Sequence, residues 1–145
     1  MGMGFLGEHS PRLDEKGRMV LPAKFRDGFA GGLVLAKGQG RCITMWPADE
    51  WSEYADRVTK ASQTDPKVLA YQRVLFSGAF DQIPDRQGRI TVPQLLREYA
   101  ALDREVIVTG KNTVAEIWDK SSWQEYLADQ DDAFADLSGV VIPGL

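Results

Sequence analysis

Asp14-Glu15-Lys16-Gly17-Arg18-Met19-Val20-Leu21-Pro22 returns 71 residues later as Asp85-Arg86-Gln87-Gly88-Arg89-Ile90-Thr91-Val92-Pro93. Both copies read Asp-x-x-Gly-Arg, then three strand-forming or apolar residues, then proline. An offset close to half of a 145-residue chain predicts two similar halves before any other feature is considered.

The residue types within each copy predict a local structure. An aspartate that ends an extended run can accept from nearby backbone N–H groups and start a turn. Gly17 and Gly88 then supply the positive-φ residue that closes it, a conformation that side chains resist. Arg18 and Arg89 follow at a fixed place beside the tip, on the first residue of the returning strand. Pro22 and Pro93 end that strand and suit the first position of a helix. The motif therefore reads strand, tight loop with a pinned arginine, strand, helix.

Working outward, Phe5 to Leu13 reads as an extended lead-in, with Pro11 restricting it to an edge or a bulge. After Pro22, Phe25 and Phe29 lie four apart on one face of a short helix weakened by Gly28 and stopped by Gly31-Gly32. Leu33–Ala36 and Cys42–Trp46 read as strands joined by Gly38-Gln39-Gly40. Pro47 opens a helix with Trp51, Tyr54, Ala55 and Val58 on its apolar face, and Asp65-Pro66 opens another. The second half replays this order: a helix stripe of Leu95, Leu96, Tyr99 and Leu102, a strand at Val106–Val108, a turn at Gly110-Lys111-Asn112, and a strand from Val114 to Trp118. Trp118, Trp123 and Tyr126 fall 72 residues after Trp46, Trp51 and Tyr54, so one residue is inserted between motif and tryptophans. The expected division is a first half over 5–58, a connecting linker and helix over 59–75, a second half over 76–128, and an acidic tail over 129–145 that is mobile or binds a partner.

Composition bounds the function classes. An apolar content of 43% supports a real core, and Cys42, the single cysteine, excludes an internal disulfide or a cysteine metal cluster. No secretory signal or apolar run of spanning length is read, so the expected compartment is the cytoplasm and no membrane partner is expected. The net charge of −4 is unevenly placed: residues 1–100 carry 14 Lys+Arg against 12 Asp+Glu, and residues 101–145 carry 3 against 9. The acidity belongs to the end of the chain, and local patches decide what a surface attracts.

The paired motifs, each followed by a short helix, two strands and a Trp-containing helix, resemble the bacterial MraZ family. Leu75-Phe76-Ser77-Gly78, Leu96–Ala100 and Ile117–Lys120 add to the match, which covers roughly residues 5–128. The resemblance implies an α+β fold of two tandem AbrB-like, swapped-hairpin halves, packed as a pseudo-dimeric β-barrel with peripheral helices. It also implies a ring-shaped homo-oligomer that binds double-stranded promoter DNA at direct repeats. Its role would be to regulate transcription of the division and cell-wall gene cluster, in association with the nucleoid. The halves differ where Glu15 and Lys16 stand against Arg86 and Gln87, so equal contacts by the two loops do not follow.

If the loops meet DNA, Arg18 and Arg89 carry the contact, because guanidinium matches phosphate and the N7/O6 edge of guanine. Lys16, Arg86, Arg26 and Arg97 are candidate phosphate contacts, with Arg12 behind them. Asp14, Gly17, Asp85 and Gly88 structure the loops. The plain alternative is that each arginine pairs with its own loop aspartate merely to hold the turn. An enzyme would need Asp14 and Asp85 as a carboxylate pair with His9 as base, but Phe80 stands at the matching place in the second half and no nucleophile is fixed nearby. No catalytic residue, metal, cofactor or small-molecule substrate is therefore expected. Gly38-Gln39-Gly40 and Gly110-Lys111-Asn112-Thr113 read as hairpin turns rather than phosphate cradles. The four tryptophans read as core or interface aromatics rather than base-stacking platforms. A reading of another class is a protein-interaction or assembly module, an antitoxin-like partner binder working through the acidic tail and the Trp-rich helices.

Overall fold

The computed structural model describes residues 4–144, apart from the side chains of 137–140. The fold is α+β. In chain order, β1 is Glu8–His9 and β2 is Arg18–Val20; a 3-10 turn at Ala23–Phe25 runs into α1, Arg26–Phe29. β3 (Leu33–Lys37), β4 (Ile43–Pro47), α2 (Ala48–Thr59) and α3 (Pro66–Ser77) follow. The second half supplies β5 (Phe80–Gln82), β6 (Arg89–Thr91), α4 (Gln94–Tyr99), β7 (Val106–Lys111), β8 (Val114–Asp119) and α5 (Lys120–Val141).

The halves are not side-by-side copies; they are crossed. A six-stranded antiparallel sheet runs β1-β7-β8-β4-β3-β5, so the lead-in strand of each half pairs with the other half. The returning strands of the two motifs pair with each other in a separate two-stranded ladder. Its central pair, Met19↔Ile90, joins positions equivalent under the 71-residue offset. At the centre of the large sheet, Thr44↔Glu116 joins positions equivalent under the 72-residue offset. A pseudo-twofold axis therefore passes through both, and the inserted residue lies between them in the chain. Among the described residues no ladder joins the two sheets or closes either on itself.

The core lies between the small ladder and one face of the large sheet. Met19 and Ile90 enter it from the ladder, Phe25, Phe29 and Leu96 from the helices after the prolines, and Leu35, Met45, Val108 and Ile117 from the large sheet. Because both halves supply it, neither buries its apolar surface alone. Gly28, read as a weak point of the first helix, has a packing reason: a Cβ there would collide with the ring of Phe5, which stacks on Phe29 with centroids 4.5 Å apart.

The outer face of the large sheet carries the tryptophans. Trp46 stacks on Tyr54 of α2 at 4.4 Å, and Trp118 meets Trp123 and Tyr126 of α5 at 5.3 and 5.1 Å. An open groove of about 580 Å³ runs between these two aromatic walls, with Thr44 and Glu116 among its lining. α2 has no fully buried residue, and Tyr71 and Val74 of α3 and Phe134 of α5 are exposed. The acidic stretch from Asp129 lies in the continuation of α5. Asp119 starts that helix by accepting from Ser122 N, and Asp129, Asp131, Asp132 and Asp136 all face solvent, where they oppose neither packing nor burial.

Candidate nucleic-acid interface

Each motif builds the same clasp. In the first, Asp14 Oδ1 accepts from the backbone N–H groups of Lys16 and Arg18, both at 2.9 Å, while Oδ2 accepts from Arg18 Nε at 3.0 Å. In the second, Asp85 Oδ1 accepts from Gln87 and Arg89 N–H at 2.9 Å, and Oδ2 from Arg89 Nε at 2.8 Å. Gly17 and Gly88 both sit at φ +77°, and their N–H groups donate to the carbonyls of Asp14 and Asp85. These bonds favour the charged carboxylate. The backbone N–H of Arg18 is the main reason that the Asp14 carboxyl titrates below its ordinary range, and the N–H of Arg89 does the same for Asp85.

The alternative in which arginine merely pairs with its own aspartate is thus half of what the structure contains. The pairing exists, but it uses Nε alone. Both Nη groups of each arginine have no acceptor among the described residues. The side chains remain about two-fifths exposed (40% and 41%), and pairs so exposed add little to stability. The clasp aims each guanidinium rather than occupying it.

The crossing of the halves puts the two arginines on one surface. Met19 and Ile90 point inward from the β2–β6 ladder, so Arg18, Val20, Arg89 and Thr91 share its outer face. Arg18 stands opposite Thr91 and Arg89 opposite Val20. That makes the arginines a diagonal pair, about 7–8 Å apart at the backbone. Two base-pair steps span a similar length, about 3.4 Å each, and a two-stranded ribbon fits the major groove.

Lys16 and Arg86 lie exposed in the loops beside the clasps. Arg26 and Arg97 sit beneath them, each under the loop of the opposite half. A Cβ at Gly88 would lie 2.7 Å from Arg26 Nε, and one at Gly17 would lie 2.8 Å from Arg97 Cζ and from the Val92 carbonyl. Glycine is therefore required twice at each loop, for backbone conformation and for this close approach. Arg26 Nε donates to the Leu21 carbonyl at 3.2 Å, whereas Arg97 Nε is buried without an acceptor among the described residues. Arg12 pairs with Glu105 through the backbone, in an isolated antiparallel bridge.

Sequence reasoning missed Gln82. Its side chain accepts from Thr91 N at 2.8 Å and donates to Thr91 O at 2.7 Å, closing the free edge of β6 as a strand would. Three residues before the other aspartate the chain has Pro11, which cannot do this. His9 packs edge-on against Phe25 at 4.9 Å. Cys42 is fully buried, and burial, with Glu116 nearby, pushes its thiol up to about 12.

Residues 4–74 and 75–138 each match the family described as "MraZ protein, putative antitoxin-like". The chain belongs to the MraZ family. Curated relatives named "Transcriptional regulator MraZ" from Salinispora tropica and Frankia alni are 52% identical over 141 residues, covering 97% of this chain and 99% of theirs. One from Thermobifida fusca is 51% identical with the same coverage. The two family matches meet between Val74 and Leu75, at the end of α3, so each MraZ repeat carries one clasp. Among the described residues no helix is long and apolar enough to cross a membrane.

Proposed function

We propose that this protein is a sequence-specific DNA-binding transcriptional regulator, not an enzyme, and that the two Asp-x-x-Gly-Arg clasps are its contacts with duplex DNA. The observation that carries this reading is the pair of guanidiniums aimed from one ladder face with their Nη groups free. Arg18 and Arg89 read base edges or phosphate, Lys16 and Arg86 add phosphate contacts from the loop tips, and Arg26 and Arg97 brace the loops and add charge behind them. The relatives' name, transcriptional regulator, supports the same reading.

Two loops on one protomer cover few base pairs, so useful affinity calls for several protomers on linked sites. The proposed assembly is a ring-shaped homo-oligomer of AbrB-like, swapped-hairpin barrels bound to direct repeats in promoter DNA of the division and cell-wall gene cluster. Exposed Tyr71 and Val74 on α3 and Phe134 on α5 are apolar surface that such an assembly would cover. Acting on chromosomal DNA places the protein in the cytoplasm with the nucleoid.

A second reading, an antitoxin-like partner binder, draws on the family description and on the acidic far half of α5 with its exposed Phe134. A gel shift with DNA from upstream of the protein's own gene separates the two. Changing Arg18 and Arg89 to Ala abolishes the shift, whereas changing Asp129, Asp131 and Asp132 to Asn preserves it. The reverse pattern contradicts the DNA-clasp reading.

A further inference from the structure

The outer face of the β2–β6 ladder has four positions, and the repeat makes only two of them alike. Arg18 and Arg89 are equivalent; Val20 and Thr91 are equivalent in place but not in chemistry. The bond pattern makes the difference local to each arginine. Leu21 N donates to Gly88 O and Val92 N to Gly17 O, so Val20↔Arg89 and Arg18↔Thr91 are the pairs not bonded to each other. In such pairs the side chains stand closest, with Cα atoms about 4.5 Å apart. Arg89 therefore stands against two γ-methyls and Arg18 against one γ-methyl and a hydroxyl.

Folding does not explain the choice. Val and Thr have the same branched shape and the same preference for strands. Val20 lies on the solvent side and is 42% exposed, while the ladder's core contacts come from Met19 and Ile90, each 2% exposed. What separates the two side chains is one methyl against one hydroxyl, presented beside a guanidinium on the same face. In the major groove the apolar feature that such a methyl can meet is the C5-methyl of thymine.

We infer that Val20 is a specificity residue, through which the ladder senses a thymine methyl beside the base met by Arg89, while Thr91, with one γ-methyl and a hydroxyl in place of two γ-methyls, makes the Arg18 side less sensitive to it. The inference rests on the DNA-clasp reading above. It makes the two halves unequal readers: one favours a base step whose methyl fills the space over Val20, and the other also donates or accepts through a hydroxyl held in place by the Gln82 clasp on its backbone.

The test uses the full-length protein and DNA from upstream of its own gene, with each thymine in the footprint replaced in turn by deoxyuridine, which lacks only the methyl. Affinity is read by fluorescence anisotropy. Wild type loses roughly threefold to fivefold on one class of replacement, the factor expected from burying about one methyl group. Val20→Ser, which removes both γ-methyls and adds a hydroxyl, lowers that sensitivity, and Thr91→Val raises the sensitivity at a second position. No effect of any uracil on wild type, uniform binding to every duplex, or an unchanged uracil profile in Val20→Ser overturns the inference. If Arg18→Ala with Arg89→Ala still abolishes binding in that case, the clasp reading stands without it. If that double variant binds as wild type does, the clasp reading falls and the Val20 inference falls with it.

Discussion

The two clasps are near copies in bond lengths and differ in what surrounds them. Each has an aspartate accepting from two backbone N–H groups and one arginine Nε, a glycine at φ +77°, and an arginine from the other half beneath it. Around that frame the chemistry diverges: Glu15-Lys16 against Arg86-Gln87, Val20 against Thr91, Pro11 against Gln82. The shared part is what the backbone needs to make the turn and aim a guanidinium. Apart from Gln82, which closes the edge of β6, the divergent part lies on exposed or partly exposed surface. A tandem repeat can thus hold two arginines in one geometry while changing the chemistry beside each of them.

The shared frame breaks most severely at its glycines. Gly17→Ala or Gly88→Ala forces an alanine into the left-handed region, at about 1–2 kcal/mol, and drives its Cβ into Arg97 or Arg26. Urea unfolding is expected to show losses of at least that size, similar for the two sites; a loss confined to one site would contradict the equivalence of the loops. Gln82→Ala sharpens the asymmetry instead. It removes two hydrogen bonds to Thr91 that Pro11 never supplied to the other strand, for a loss of about 1–2 kcal/mol in the same assay. Pro11→Ala is expected to cost far less.

Smaller effects probe the tips. Lys16→Gln makes the first loop resemble the second, and the slope of log affinity against log salt is expected to fall by about 0.9 if Lys16 neutralises one phosphate. Acid is the mildest probe. Asp14 and Asp85 titrate below their ordinary value of 3.8, so their stabilising bonds are fully present above that value and are lost as pH falls below it. The stability difference between wild type and an Asp14→Asn, Asp85→Asn variant is expected to be flat from pH 7 to about 5. It then narrows toward pH 3; a difference that widens toward acid would contradict the assignment.

Much of this was legible in the residues. Asp-x-x-Gly-Arg carries the whole clasp locally, because its partners lie within four residues of the aspartate. Proline after each strand and the four-residue spacing of Phe25 and Phe29 placed the helix that follows. The crossing was implied by the family resemblance but not legible in the residues themselves, since a three-residue strand such as Arg18–Val20 states which face is apolar but not which strand pairs with it. For the same reason Arg26 and Arg97 read as helix-start cations open to phosphate; their place beneath the opposite loop exists only after the halves cross. Gln82 carries no signal in a single sequence, because any polar residue fits an edge strand. The Asp-rich run of α5 read as a tail because it is strongly acidic and lies at the end of the chain. The helix nonetheless extends through it, anchored by Trp123 and Tyr126 against Trp118 at its other end.

The most direct measurement is the salt dependence of binding to DNA from upstream of the protein's own gene, for wild type, Arg18→Ala, Arg89→Ala and the double variant at matched oligomeric state. The clasps predict that each single change weakens binding about tenfold or more, in line with the loss of a bidentate arginine contact. Wherever the arginine meets phosphate, the change also lowers the salt slope by about one unit, with the double variant lower still. A folded, assembled double variant with the affinity and the salt slope of wild type would contradict the claim that the crossed halves exist to present these two guanidiniums to DNA.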